Sequence, residues 1–444
     1  MIIPRAEHPI SRTLISDNAL KVLYRLRDAG FASLLVGGCV RDLMLGHEPK
    51  DFDVVTDARP EQIQEVFRNA RLIGRRFRLA HVHFGREIIE VATFRGIPAA
   101  PGESVPKSVL RNGEGGEQSA RESRRAQLAD YNIFGTQEED ALRRDFTVNA
   151  LYYNIRDYAV MDYVGGVRDL KEGVLRMIGD PPSRYREDPV RMLRVVRFAA
   201  KLGFVIEPAT AAPIRELGHL LLEVSPARMF EEVLKLFHGG YSAETYELLR
   251  THDLFRYLFP ATDESLASES DGFPRVLLPK ALASTDARLA EGKPVNPAFL
   301  FAAFLWEPVR QRLDQLVSEG MKDQDALRLA ADSVLRDQQQ HISVPKRLSF
   351  PMREIWELQL RFPRRHGKGA ARLLEHKRFR AAYDFLLLRA ESGAADPELA
   401  EWWTRFQELG PDQRKAMVRA LAPATAERPK RRRRRRRPAG REPS

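Results

Sequence analysis

Residues 17–30, DNALKVLYRLRDAG, place apolar side chains at helical spacing and end in glycine, which predicts a helix with a C-terminal stop. FASLLVGG reads as a short apolar strand delivered into a glycine pair, and VRDLMLG returns to helix. DFDVV, residues 51–55, reads as a strand, ARPEQIQEVFRNA as a helix, and RLIGRRF, RLAHVHFG and EIIEVATFR as successive strands of one sheet. The first 95 residues thus form an α/β unit. Residues 96–130 break the pattern with Gly, Pro, Ser and charge and little apolar content, which predicts a long mobile loop. Strand-like LYYNI and YAVMDYVGG follow, so the loop is an insertion within the first domain. From Tyr185 onward the periodicity is helical, and several helices open with Pro near their first position. No fixed period recurs, which excludes a solenoid. Beyond Pro423 the Pro/Arg-rich composition predicts disorder.

Length and charge sharpen this picture. A chain of 444 residues suggests two to four domains. The net charge of +11 is concentrated: residues 428–444 carry +9 and residues 346–380 carry +8, leaving the remainder at −6. A mildly acidic body with two basic zones points to a polyanionic partner, nucleic acid before membrane. One cysteine, Cys39, excludes a disulfide framework and a thiolate zinc site. No run approaches 18 apolar residues and the N-terminus lacks an apolar export core, so the expectation is a soluble cytoplasmic protein without an integral membrane segment.

Five constellations carry chemistry. In LLVGGCVRD, a strand brings Gly37 and Gly38 to the start of a helix, where backbone N–H groups approach a phosphate, with Arg41 one turn on. In Asp51-Phe52-Asp53, strand alternation points both carboxylates to one face, a pairing suited to a divalent metal shared with substrate phosphates. Glu90 shares a face of its strand with Ile88, while Ile89 and Val91 take the other, and a strand beside the aspartates could bring Glu90 to the same metal. In RRDFTVNALYY, Arg143 and Arg144 precede Asp145, and Thr147 and Asn149 are small hydrogen-bonding groups among apolar ones; an Arg-Asp pair here could hold the sugar and phosphates of a nucleotide and orient the metal site. In RYREDPVRMLRVVRFAAKLGF, Arg191, Arg194 and Arg197 share a helix face opposite Leu193, Val196 and Ala200. Asp188 before Pro189 fits an N-cap, and with Arg191 it can also match the donors and acceptors of a base edge. His81 and His83 share a strand face without an apparent acidic third ligand and read as structural. His252-Asp253 lacks the further spaced His and Asp residues of an HD hydrolase. Trp402 and Trp403 read as packing against the last helix.

As an ordered set, LLVGGCVRDLMLG, DFDVVTDA, RRDFTVNALYY, DYVGGVRDLKEGVLRMIGD and RYREDPVRMLRVVRFAAKLGF resemble the class II polymerase-β-like nucleotidyltransferases, which comprise bacterial poly(A) polymerases and CCA-adding enzymes. The segment RRFRLAHVHFGREIIEVATFRG, the helical run IWELQLRFPRRHGKGAARLLEHKRFRAAYDFLLLRAE and the Arg-rich tail resemble the poly(A) polymerase branch. Cys39 stands where relatives usually have Gly or Ala. The resemblance implies an α+β fold with a mixed α/β catalytic head over 17–165, a helical neck over 166–235 that recognises the base, a helical RNA-binding body over 236–409, and a disordered basic tail over 410–444. It implies catalytic Mg²⁺ (or Mn²⁺) on Asp51 and Asp53, to which the strand pattern adds Glu90 as a candidate third carboxylate, and it maps the family's RRD motif to Arg144 and Asp145, the latter as a catalytic support. It further implies ATP as substrate, with Arg144, Glu187, Asp188 and Arg191 on the nucleotide, and the residue patterns above add Gly37, Gly38, Arg41, Asn149, Arg194 and Arg197 around it.

The expected activity is template-independent addition of AMP to RNA 3′ ends, marking RNA for decay and quality control, by a monomer that decay proteins could join. RNA contacts fall to Lys346, Arg347, Arg364, Arg365, Lys368, Arg372, Lys377 and Arg378, and to the tail run Arg431, Arg432, Arg433, Arg434, Arg435, Arg436 and Arg437. A CCA-adding enzyme of the same fold is the nearest alternative. A non-catalytic RNA-binding module and a metal-dependent RNA hydrolase are more distant ones.

Overall fold

A computed structural model describes residues 1–74, 78–96, 133–267 and 276–421. The chain divides into two units, Met1–Leu258 and the part from Phe259 onward. The expected loop over 96–130 and the arginines 431–437 lie outside the described residues, apart from Gly96.

The first unit is built on an eight-stranded sheet. In chain order its strands are β1 (Ile2–Ile3), β2 (Ser33–Val36), β3 (Asp53–Thr56), β4 (Ala70–Ile73), β5 (Leu79–Phe84), β6 (Glu87–Thr93), β7 (Leu151–Asn154) and β8 (Val160–Asp162). Their spatial order is β1-β8-β7-β2-β3-β6-β5-β4. The β3–β6 pair is parallel and the others are antiparallel. Central β2 is buried on both faces, which explains its unbroken apolar run. Edge-ward β6 alternates instead, with Ile88 at 42% exposure against 1% for Ile89 and 0% for Val91.

Helix α1 (Asp17–Asp28) closes one side of this sheet. Ser16 accepts the Ala19 N–H at 3.1 Å as its cap, and Leu20, Val22, Leu23 and Leu26 form its buried stripe. α2 (Gly38–Met44) follows β2 directly, and α3 (Pro60–Val66) follows β3. α4 (Gln137–Arg143) starts with a Thr136/Glu139 capping box. α5 (Gly166–Glu172) hangs from Asp162, whose carboxylate accepts the backbone N–H groups of Val164, Gly165, Gly166 and Val167.

The all-helical part begins with α6 (Pro181–Glu187) and α7 (Val190–Leu202). α7 buries Met192, Leu193, Val195, Val196, Phe198 and Ala199 while Arg191, Arg194 and Arg197 share the other face. The expected helix over PATAAPIREL divides into α8 (Pro208–Ala211) and α9 (Ile214–Leu217), because Pro213 cannot donate the hydrogen bond that would continue the first. α10 (Pro226–Phe237), α11 (Ser242–Thr251) and α12 (Phe255–Leu258) complete the unit.

The second unit is helical throughout its described residues: α13 (Pro260–Ala267), α14 (Leu277–Ala290), α15 (Pro297–Phe304), α16 (Trp306–Ser318), α17 (Asp323–Gln338), α18 (Lys346–Gln359), α19 (Gly369–Leu374), α20 (Phe379–Glu391), α21 (Pro397–Glu408) and α22 (Pro411–Ala420). NPAFLFAAFLWEPV, expected as one helix, breaks at Leu305 into α15 and α16. α22 corrects the expectation that residue 410 begins a disordered tail: Pro at its first position and the Gln413 side chain bonded to the Gly410 N–H start a regular helix there.

The aromatic content gathers in this unit's interior. Trp403 is fully buried and its indole N–H donates to the Phe362 carbonyl at 3.1 Å, while Trp402 stacks on Phe406 at 4.6 Å. Met417 and Val418 of α22 pack against this cluster, in line with the expected packing on the last helix. Trp356 and Trp306 are equally enclosed, and the Trp356 indole donates to Ala302 O at 3.1 Å. The whole is an α+β protein, and no helix among the described residues is long and apolar enough to cross a membrane.

Candidate active site

β3 begins at Asp53, and Asp51 occupies the bend before it, so the predicted strand over 51–55 starts two residues late. Phe52 between them is buried and anchors the bend. The parallel register of β3 and β6 sets Glu90 beside Asp53. Burial pushes the Asp53 carboxyl up to about 6, and the Glu90 and Asp51 carboxylates push the same way against an opposing pull from Arg144. Neither the Asp51 nor the Asp53 carboxylate forms a hydrogen bond or ion pair among the described residues. Glu90 leans instead toward His81, its register neighbour on β5, with Nε2 and Oε1 3.3 Å apart. The acidic partner that sequence did not supply for His81 is therefore Glu90.

No three His, Cys, Asp or Glu side chains among the described residues converge to enclose a metal ion. Two unpaired carboxylates side by side nevertheless suit a hard cation that completes its shell with phosphate oxygens and water. The donor set fits Mg²⁺ shared with a nucleotide rather than an all-protein cage. Cys39, directly behind, is buried, and burial together with the Asp53 charge pushes its thiol up to about 12, so it stays neutral and inert.

The glycine pair divides its duties. Gly37 has φ +77°, the conformation that favours glycine, and a Cβ there would also sit a tight 3.3 Å from Arg144 Nη1. Its N–H is already bonded to the Leu151 carbonyl at 3.1 Å. A Cβ on Gly38 would make only an ordinary 3.6 Å contact with Arg41.

Arg41 departs from the expectation that it reaches outward to a phosphate. Only 2% of it is exposed. Its guanidinium donates to Asp42 at 2.8 and 2.6 Å and to Asn149 Oδ1 at 2.6 Å, and lies over the Phe198 ring. The cause is the direction of its helix face, which turns inward, where a carboxylate and an amide oxygen compensate the buried charge. Asn149 is also enclosed, at 7% exposure, and bridges Arg41 to Asp145.

Arg144, whose charge acts on Asp53, also lines a cavity of about 240 Å³, together with Arg95, Asp140, Arg143, Asp145, Asp188, Arg191 and Arg194. Asp145 is gripped by Arg194 at 2.8 and 2.5 Å and accepts from Asn149 Nδ2 and the Phe146 N–H. Burial alone would raise its carboxyl, but Arg194 and these bonds hold it below the ordinary carboxylate range. Arg144 pairs with Asp140 at 3.0 Å and donates to the Tyr152 hydroxyl, which itself donates to Asp140 at 2.7 Å. Despite burial, this closed triangle raises the Arg144 value and keeps the guanidinium charged. Arg197 lies over the Phe198 ring at 4.5 Å, and its buried Nε has no hydrogen-bond partner.

The remaining wall comes from the junction of α6 and α7. Glu187 pairs with Arg184 at 2.8 Å and Arg191 at 2.6 Å. Asp188 accepts the Val190 N–H at 3.4 Å, as an N-cap does, and its other oxygen takes Arg228 at 2.8 Å. Sequence reasoning missed Arg95, Asp140 and Arg228, and read Arg143 only as part of the Arg-Arg-Asp run. The i,i+4 spacing of Asp140 and Arg144 was the one available signal. His252 and Asp253 merely close α11, where Asp253 pairs with Arg256 at 2.9 Å.

In the second unit, Lys346, Arg347, Arg364, Lys368, Arg372 and Lys377 are exposed, as phosphate contacts require. Arg365 is half-buried over the Trp402 ring, and Lys377 and Arg378 share Glu354.

Family models match three stretches of the chain: the poly A polymerase head domain over residues 33–176, the probable RNA and SrmB-binding site of polymerase A over 203–266, and the polymerase A arginine-rich C-terminus over 319–438. Poly(A) polymerase I of Escherichia coli O6:H1 is 51% identical over 423 residues, covering 95% of this chain and 88% of that protein. A CC-adding tRNA nucleotidyltransferase of Halalkalibacterium halodurans is more distant, 34% identical over 55% of this chain and 54% of its own length. Among solved structures, the Thermotoga maritima CCA-adding enzyme complexed with tRNA shares the fold at a TM-score of 0.57 and 18% identity, over 96% of this chain and 92% of that one. The glycine turn, the unpaired aspartates and the arginine-lined cavity all lie within or beside the matched head, and the likeness continues through the helical remainder: the chain is a nucleotidyltransferase that belongs to the poly(A) polymerase I family.

Proposed function

We propose that this protein extends RNA 3′ ends with AMP from ATP, without a template, releasing pyrophosphate. The observation that carries the reading is the pair of unpartnered carboxylates, Asp51 and Asp53, linked through the Arg144 charge to a cavity walled by arginines. Asp51 and Asp53 would hold Mg²⁺ or Mn²⁺, and Glu90 is the third carboxylate within reach of that charge. A metal bound there supplies charge neutralisation on the phosphates and acidifies the RNA 3′-hydroxyl. The 3′-oxygen attacks the α-phosphorus, the bond to the β-phosphate breaks, and pyrophosphate leaves.

The chain's own residues align this exchange. Arg143, Arg144 and Arg191 offer guanidinium groups to the triphosphate from three directions. Asp145, ionised and held by Arg194, fixes the cavity floor. Asp188, oriented by Arg228, presents a carboxylate edge to the amino group of adenine with Arg191 beside it. Buried Arg41 and Asn149 act as struts beneath Asp145 rather than as phosphate contacts. No covalent intermediate is needed, since alignment and charge neutralisation supply the acceleration. The exposed cations of residues 346–380 and the arginine-rich tail bind the RNA phosphates. The same reading places the protein in the cytoplasm, as a monomer whose tailed products pass to RNA-decay proteins.

The test is incubation of purified protein with Mg²⁺, an unstructured RNA and one nucleoside triphosphate at a time. Long ladders with ATP alone support the reading. Inactivity on that RNA, with a few C and A additions to tRNA lacking its terminus, replaces it with CCA addition.

A further inference from the structure

The helical unit contains a second cavity, of about 710 Å³, enclosed by α14, the segment entering α15, and α20. Its volume lies within the ~300–1,000 Å³ of sites that enclose small ligands. Two kinds of surface meet in it. Val295, Phe299 and Leu387 give an apolar wall, and the Phe299 ring is fixed edge-on against Phe385 at 6.0 Å. Lys280, Arg288, Lys377, Arg378 and Arg380 bring five cations to the lining, against the carboxylates of Asp384 and Glu391.

Most of these cations are occupied. Arg380 pairs with Asp384 at 3.0 Å, Lys280 donates to the Glu391 carbonyl, and Lys377 and Arg378 share Glu354. Arg288 is different: it is exposed and forms no hydrogen bond or ion pair among the described residues, although its charge acts at longer range on the Asp384 and Glu291 carboxylates. A guanidinium free of hydrogen-bonded partners in the same lining as an apolar, aromatic-bearing wall matches a ligand that has an anionic group and a flat apolar face in one molecule. Free phosphate would leave the Phe299 wall unused, and an uncharged apolar ligand would leave Arg288 unused.

We infer that this cavity takes one nucleotide of a single-stranded RNA, its base against Phe299, Val295 and Leu387 and its phosphate on Arg288. The inference rests on the proposed function for the identity of the polymer. An apolar wall accepts any base, so the site suits a strand held without regard to sequence. It anchors RNA at a point additional to the cavity that holds the incoming nucleotide.

The test uses the full chain and two changes at exposed positions, Arg288→Glu and Ala283→Trp, the second filling the cavity mouth. Unchanged thermal melting establishes that both variants fold. Fluorescence anisotropy with a labelled unstructured 20-nucleotide RNA, at a series of salt concentrations, reads strand binding, and equilibrium dialysis with labelled AMP reads free-nucleotide binding. Each variant is expected to weaken RNA binding about tenfold, the scale of one lost base stack. Arg288→Glu also lowers the slope of log affinity against log salt by about one. Parental RNA affinity and slope in both variants overturn the inference. So does a loss of AMP binding with RNA binding intact, which makes the cavity a free-nucleotide site. Binding is read without turnover, so a chain that adds no AMP refutes the proposed function and leaves this measurement valid.

Discussion

Arg194 grips Asp145 with two hydrogen bonds, at 2.8 and 2.5 Å, across a sequence separation of 49 residues. The pair ties the helical α7 to the sheet-bearing part of the first unit at the floor of the nucleotide cavity. The partners are unequal: the Asp145 side chain is 11% exposed and that of Arg194 is 35% exposed. Removing the arginine strands a buried anion, whereas removing the carboxylate leaves a cation that can reach water. Arg194→Ala is therefore expected to destabilise the protein by about 3–5 kcal/mol, and Asp145→Asn by clearly less. A double-mutant cycle read by urea unfolding checks this, and equal losses from the two single changes contradict it.

Asp51 and Asp53 carry a different expectation. Asp51→Ala and Asp53→Ala should each lower AMP transfer by at least about a thousandfold, since each removes a metal carboxylate from a charge-neutralising site. RNA affinity should stay near the parental value, because the proposed strand contacts lie elsewhere. Primer extension beside filter binding separates the two, and a parallel loss of RNA binding would falsify the assignment.

The raised Asp53 value also makes a statement about stability. A folded-state value near 6 against an ordinary 3.8 means that the metal-free fold disfavours the ionised carboxylate. The penalty is absent below about pH 4, where the group is protonated in both states, grows as pH rises, and is complete above about pH 6, where it reaches roughly 3 kcal/mol. Asp53→Asn should therefore melt higher than the parent at pH 8 without metal and equally near pH 4. Mg²⁺ should narrow the gap at pH 8 by stabilising the parent alone. Calorimetry on the two proteins with and without chelator decides it.

Arg228 is the only positively charged side chain paired with the Asp188 carboxylate among the described residues. Arg228→Ala should free that carboxylate to rotate and lower the ATP-over-CTP ratio of kcat/KM by roughly tenfold, the scale of one lost base-edge discrimination. Single-nucleotide incorporation with each triphosphate measures it.

Deleting residues 428–444 removes ten cations and one acid. RNA affinity should fall and its salt dependence should flatten, because fewer counterions are released on binding. Nucleotide choice should not change, since the residues proposed to read the base lie in the first unit. A titration against salt, with the full chain as reference, gives both slopes.

The parts of this fold that were legible in sequence are those with local causes. The apolar run before Gly37, the alternation around Glu90 and the stripe of α7 each fix an element and a face from neighbouring residues alone. The cavity wall was less legible. Arg95 and Asp140 meet through the backbone N–H of one and the carboxylate of the other, 45 residues apart, a relation that no spacing encodes. Arg41 was misjudged for a similar reason. Its position one turn into a helix is compatible with either face, and Asn149, which draws it inward, is 108 residues away. The break at Leu305 did have a local cause: Pro308 cannot donate to the Phe304 carbonyl, so α15 cannot run through it, and the proline falls in the first turn of α16 instead.

The enclosure of the tryptophans has a practical consequence. Trp306, Trp356, Trp402 and Trp403 are the chain's four tryptophans, and all belong to the unit that begins at Phe259. The sheet-bearing unit holds none. Selective excitation of indole emission during denaturation therefore watches one half of the molecule while the other is spectroscopically silent. Far-ultraviolet dichroism watches both. Coincident transitions by the two signals mean that the halves melt as a single cooperative body, and separated ones mean that the catalytic half can open while the indoles still report an intact protein.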